Sequence, residues 1–244
     1  MSEPTITLHG VTKILGKGHR ASVVLDNVNW HIPARARVAI LGQVGAGKTT
    51  LLHLLSGILT PTDGWIEKSA VVSSTSSLLR YVDVETTVEQ LVRRLSPIYH
   101  ADSDEMCRFV ERFAGLDHAM TFPVYELTHL MRQRLHFALF YGFDCDFYLF
   151  DGNFETNIVG IRDSCRLAFE QRSKDAGMIL ATPQPRWAAQ FGGIGGILHN
   201  GHLVFYPSVS EAIKVFEQLP PASVVPDSRL VHPDPLSSEG EDDL

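Results

Sequence analysis

The chain has 244 residues, 44% of them hydrophobic, with 28 Asp and Glu against 21 Lys and Arg and a formal net charge of -7. This size and apolar content can bury an ordinary core as one large α/β domain, or as a domain with a subdomain. The acidic balance argues against nucleic acid as a partner, because such a face needs Lys and Arg gathered together.

The opening MSEPTITLHG carries an acid and no apolar stretch of signal-peptide type, so the expected compartment is the cytoplasm. Strand signals follow at Ile6 to Leu8, Val23 to Leu25, Val28 to Ile32 and Val38 to Leu41. The last of these runs into a glycine-rich loop. Beyond the loop, Thr49 to Ile58 holds leucines at 51, 52, 54 and 55, the pattern of a short helix buried on one side. Pro61 to Gly64 then turns the chain into a strand at Trp65 to Glu67.

From about residue 84 to 144 the period becomes helical, with Val88, Leu91, Val92 and Leu95 on one face and Phe109, Val110, Phe113 and Leu116 on another. An inserted helical subdomain is expected there. Strands return at Phe147 to Phe150 and Met178 to Thr182, separated by a helix over Asp163 to Lys174, which is the βαβ alternation of a mostly parallel sheet. The uncharged stretch from Trp187 to Ser210 is too broken by glycine to span a membrane. Asn200-Gly201 makes it a hairpin, pairing Gly196–His199 with His202–Phe205. Residues 1–219 thus form the expected domain, and the Pro-rich acidic stretch 220–244 reads as a disordered tail.

Three cysteines, Cys107, Cys145 and Cys165, stand apart with no CxxC pair, which suits reduced thiols. His129, His136, His199 and His202 lack the spacing and acidic partners of a metal site, and surface or hairpin positions are expected for them. The aromatics Phe137, Phe140, Tyr141 and Phe143 read as helix packing.

The residues that carry chemistry are Gly42, Gln43, Val44, Gly45, Ala46, Gly47, Lys48 and Thr49, which fit G-x-x-x-x-G-K-[ST] with a strand before and a helix after. Glycines let successive backbone N–H groups turn toward phosphates, and the helix N-terminus adds a favourable dipole. In such a loop Lys48 reaches the β/γ oxygens and the Thr49 hydroxyl can ligate magnesium. A second metal ligand is expected from Asp151, at the end of the apolar run Phe147 to Phe150. Four apolar residues ending in Asp also recur in ordinary parallel sheets; it is the loop upstream that gives this one a chemical meaning.

The segment LGQVGAGKTTLLHLLSGILTPTDGWI resembles the phosphate-loop region of ABC ATPases. The segment RFVERFAGLDHAMTFPVYELTHLMRQRLHFALFYGFDCDFYLFD, residues 108–151, resembles the ATPases of bacterial capsular and other surface-polysaccharide exporters. The likeness covers roughly residues 5 to 215. It implies an α/β P-loop NTPase of ABC ATPase type, with a mixed sheet core and an inserted helical subdomain. It also implies ATP and magnesium as cofactors, with Gly42 to Thr50 on the phosphate loop and Thr49 and Asp151 on the metal. A dimer with itself or another nucleotide-binding subunit is implied too. So is an ABC-2 type integral membrane permease, which would hold the chain peripherally on the cytoplasmic face of the inner membrane.

Several positions depart from that family. Gly152 stands where the catalytic glutamate would follow the metal aspartate, and Pro183 where the switch histidine would be. Leu130 replaces a glycine of the signature motif, whose hydroxyl Thr128 keeps. No Gln lies between Glu67 and Gln90, so Ser73 to Leu79 occupy the Q-loop region; Leu15 falls near the adenine-stacking position and Ile158 near the D-loop acid. Glu155 lies too far past the strand end to serve as a displaced base.

Three readings follow. The first is a working ATPase of a polysaccharide exporter, and the second a nucleotide-binding scaffold or regulator deficient in hydrolysis. The third, a P-loop kinase, leaves residues 108–151 unexplained. Losing a positioned general base lowers rate by about 10²- to 10⁴-fold, so slow or absent turnover is expected.

Overall fold

A computed structural model describes residues 3–16, 18, 21–73, 79, 82–83, 85–152 and 161–220. Strands β1 (Ile6–Leu15), β2 (Ser22–Ile32) and β4 (Asp63–Lys68) form an antiparallel sheet in the order β2-β1-β4. A second sheet, in the order β5-β6-β3-β7-β8, contains β3 (Arg37–Leu41), β5 (Phe147–Asp151), β6 (Gly177–Thr182), β7 (Ile194–His199) and β8 (His202–Tyr206). Its first four strands are parallel and β8 is antiparallel to β7, so the sheet is mixed, as expected.

The period-two alternation of the central strands divides the interior in two. Phe147, Leu149, Val38, Ile40, Ile179 and Ala181 face one side, where helix α1 (Lys48–Ser56) and the antiparallel sheet close a core. Tyr148, Phe150, Ala39, Leu41, Met178 and Leu180 face the other side and meet the remaining helices. These are α2 (Val88–Leu95), α3 (Ser103–Ala114), α4 (His129–Gly142), α5 (Arg162–Arg172), α6 (Pro185–Phe191) and α7 (Val209–Phe216).

Local signals explain the element ends. Leu51, Leu52, Leu54 and Leu55 bury one side of α1, and Gly57 ends it in the left-handed region. Thr87 and Gln90 form a reciprocal capping box on α2. The expected helical faces are buried at Val88, Leu91, Val92, Val110 and Leu116, with Leu95, Phe109 and Phe113 packed at the margin. Asn200 and Gly201 both have positive φ, the geometry of a tight hairpin turn between β7 and β8.

Two details differ from the sequence reading. The runs Val23–Leu25 and Val28–Ile32 are one strand, with Asn27 at φ 48 between them. Helices α6 and α7 flank the hairpin where no helix was expected: α6 begins at Pro185, and α7 is capped by Ser208, whose hydroxyl accepts from Glu211 N–H. The tail from 221 lies outside the described residues.

Candidate nucleotide site

β3 and β6 run side by side, with Leu41 opposite Thr182, and deliver the glycine loop to the sheet edge. Gly42 N–H donates to the Thr182 carbonyl at 3.3 Å, and Ala46 N–H donates to the Gln43 carbonyl at 3.1 Å, closing the loop on itself. Gly47 has φ 95, and a Cβ there would sit 2.5 Å from Val24 Cγ1 and 3.0 Å from the Val24 carbonyl oxygen. The loop is therefore pressed against β2 in a conformation that L side chains rarely adopt. No side chain caps α1 and its first turn has no acid, so the N-terminal amides and the helix dipole are available to an anion.

Lys48 is 8% exposed, and its ammonium donates to the carbonyls of Gly42 at 2.9 Å and Gln43 at 2.7 Å. Burial lowers its pKa to about 8, against the opposing pull of Asp151. The Thr49 hydroxyl donates to Asp151 Oδ2 at 2.8 Å. Two hard oxygen ligands thus stand together at the strand ends, a donor set suited to magnesium with water and phosphate oxygens completing the shell. Val44 and Gly45 are exposed at the loop tip, Thr50 is half-buried, and Gln43 donates from Nε2 to the Pro220 carbonyl at 3.0 Å.

The departing residues occupy equally definite places. Gly152 N–H donates to the Ala181 carbonyl at 2.8 Å, its φ is 97, and open space lies where a Cβ would be. Pro183 follows Thr182 directly, beside the loop, and offers no N–H; the next amide, Gln184, donates to the Thr182 hydroxyl at 3.2 Å. Thr128 caps α4, its hydroxyl accepting from Met131 N–H at 3.3 Å, and Leu130 is 38% exposed one residue into the helix. Leu15, at the end of β1, is 39% exposed and offers only an aliphatic surface. Glu155, Ile158 and residues 74–78 lie outside the described residues.

Two side chains have roles that the sequence reading missed. Ser73 is buried: its N–H donates to the Phe147 carbonyl at 2.8 Å, and its hydroxyl accepts from Leu149 N–H at 2.9 Å, extending the sheet beside β5. His136, expected at the surface, is enclosed against Phe137 and Phe140, and burial depresses its pKa to about 4. Both rings stand on its own helix, one and four residues on, and Phe140 in turn packs against Tyr148 and Phe150 of β5. The other histidines lie nearer solvent: His129 and His202 are exposed and His199 is half-buried.

Residues 25–154, from β2 through the glycine loop to the end of β5, match the family described as ABC transporter. The chain belongs to the ABC transporter family. ABC relatives include the ATP-binding protein BexA of Haemophilus influenzae, 28% identical over 85% of this chain and 97% of that protein. The capsule polysaccharide export ATP-binding protein CtrD of Neisseria meningitidis is 27% identical over 81% and 91%. The polysialic acid transport ATP-binding protein KpsT of Escherichia coli is 26% identical over 87% and 96%. Among solved structures, a dimeric ATP-binding cassette in a post-hydrolysis state with ADP and phosphate superposes with a TM-score of 0.63 at 18% identity, covering 82% of this chain and 98% of that one. The fold is that of an ABC ATPase cassette.

Proposed function

We propose that this ABC protein is the ATP-binding subunit of a polysaccharide exporter and that it binds MgATP with little hydrolysis of its own. The observation that carries the binding half is the pairing of Lys48, folded into the glycine loop, with Thr49 and Asp151 2.8 Å apart at its edge. Backbone N–H groups of residues 45–50 would hold phosphate oxygens, Lys48 would exchange its two carbonyl partners for them, and Thr49 and Asp151 would hold magnesium. Magnesium supplies charge neutralisation at the bridging phosphate oxygens. The export assignment is supported by the relatives, three of which are named for capsule, polysialic acid or ATP binding and align along nearly their whole length.

A membrane permease is the partner this reading requires, because among the described residues no helix is long and apolar enough to cross a membrane. The chain would attach peripherally to the inner face of the plasma membrane, and a dimer of cassettes would close over nucleotide.

A second reading, a non-hydrolysing regulatory or scaffold subunit, is favoured by Gly152 and Pro183. A water-polarising carboxylate and a γ-phosphate hydrogen bond are both lacking at those positions. Equilibrium binding of a fluorescent ATP analogue with magnesium tests the common core of the two. Lys48→Ala should weaken binding about 10- to 100-fold, the worth of hydrogen bonds to a charged group. Unchanged affinity would overturn the assignment of the site; steady-state turnover at ordinary ABC rates by the unmodified chain would overturn the deficiency.

A further inference from the structure

The last described residue stands at the glycine loop. Helix α7 ends at Phe216, and the turn after it closes through Gln218 and Leu219, whose N–H groups donate to the carbonyls of Val215 and Phe216. Leu219 packs at the margin of the core. Pro220 follows, and its carbonyl accepts from Gln43 Nε2 at 3.0 Å, across 177 positions of sequence. Gln43 is the second residue of the glycine loop, so the chain beyond Pro220 leaves the domain beside the residues that would face phosphate.

The composition of that stretch is one-sided. Residues 221–244, outside the described residues, hold the carboxylates of Asp227, Asp234, Glu239, Glu241, Asp242 and Asp243 against the one guanidinium of Arg229, and so carry most of the net charge of -7. Four of these acids fall within residues 239–243. The loop has the opposite need. No side chain caps α1 and its first turn has no acid. The Lys48 ammonium is held by two neutral carbonyls, those of Gly42 and Gln43. Asp151, which accepts from Thr49, opposes any anion in the loop, and the amides and Lys48 must outweigh it for phosphate and carboxylate alike. At full extension Glu239 to Asp243 can reach roughly 65–80 Å from Pro220, so no part of the loop is beyond them. A tether of this kind holds them at an effective concentration on the order of a millimolar.

We propose that residues 239–243 fold back onto the glycine loop when nucleotide is absent, their carboxylates accepting from backbone N–H groups at the start of α1 and facing Lys48, and that nucleotide must displace them. This self-inhibition rests on the reading of residues 42–50 as an anion site and adds a competitor carried by the chain itself. A tethered competitor with a local dissociation constant of about 0.1–1 mM weakens nucleotide binding by roughly 2- to 10-fold. Its attraction is between charges near the surface, so salt should release it.

The test compares the full chain with a full-length variant carrying Glu239→Gln, Glu241→Gln, Asp242→Asn and Asp243→Asn, which keeps length and shape. Amide hydrogen exchange is followed in both without nucleotide and read in peptides covering residues 42–50. These should exchange several-fold faster in the variant, with the rest of the domain unchanged, and the difference should fade in 1 M salt, where screening acts within about 3 Å. At low salt the variant should also bind the fluorescent ATP analogue with magnesium about 2- to 10-fold tighter. Equal loop exchange in the two chains would overturn the fold-back, even where affinities differ through long-range repulsion. Faster loop exchange with no gain in nucleotide affinity would overturn the competition. Faster loop exchange in a chain without Lys48-dependent nucleotide binding would support the fold-back and sink the nucleotide reading instead.

Discussion

The two halves of the nucleotide edge are built to different standards. On one half, Gly42, Gly47, Lys48, Thr49 and Asp151 are tied into a closed set of contacts, each side chain bonded to another part of the loop or to the adjacent strand. On the other half, Gly152 faces open space and Pro183 has no N–H, and Leu130 presents an aliphatic side chain. On the function proposed above, the chain keeps the groups that hold charge still and lacks those that would move a proton. Binding phosphate and cleaving it draw on different residues, and that proposal has the first set survive without the second.

Gly47→Ala should break the binding half most severely. The new methyl would meet Val24 Cγ1 at 2.5 Å and the Val24 carbonyl at 3.0 Å, at a φ of 95 that strains any Cβ. Overpacking and strain of this kind destabilise by about 1–3 kcal/mol, lowering the melting temperature by roughly 2–12 °C for a domain of this size. The phosphate loop should shift with it, abolishing detectable binding of the fluorescent analogue. Calorimetry and titration check the two effects, and unchanged values in both would mean that β2 does not brace the loop.

A smaller effect separates charge from shape. Lys48 has its pKa lowered to about 8 from the ordinary 10.5, chiefly by burial. Between those values the unfolded chain binds more protons at this position than the folded one, so the group's contribution to stability rises with pH through that window and is least favourable below pH 8. Binding runs the other way. Phosphate favours the ammonium, so above pH 8 nucleotide must bring a proton with it, and affinity should fall by up to about tenfold per pH unit. Lys48→Ala should flatten that slope; a steep fall retained in the variant would assign it to another group.

The sequence made the binding half legible because its signals are local. A glycine spacing, a leucine pattern and an apolar run ending in Asp151 suffice to place β3, α1 and β5, and parallel pairing then brings the ends together. The fold around them was legible wherever one period dominated, as on α2 and α3. It was obscured at α6, where seven residues bury only Ala188 and Phe191 and flanking glycines mask the helix. For α7 a usable signal existed, Ser208 with Glu211 three residues on. His136 carried a partial signal, since Phe137 and Phe140 stand one and four residues on along its own helix; that Phe140 would pack on Tyr148 and Phe150 of β5 was not visible in that spacing.

The smallest expected effect is the sharpest test of the contrast. Gly152→Glu restores the carboxylate at the position where the family keeps one, and open space would receive its Cβ. The backbone, however, has φ 97 and holds its N–H on the Ala181 carbonyl at 2.8 Å. A side chain there costs about 1–2 kcal/mol unless the strand end relaxes, and relaxation would move the carboxylate from the strand line. Pro183 still provides no donor to the γ-phosphate, and Leu130 still stands in the signature turn. The expected gain in ATPase rate is therefore under about tenfold, far short of the 10²–10⁴ attributed to a general base. Pro183→His added to Gly152→Glu should raise it further than either alone, since a base orients water only where the phosphate it attacks is also held. Full recovery by Gly152→Glu alone would mean that the second half of the edge is intact apart from one side chain.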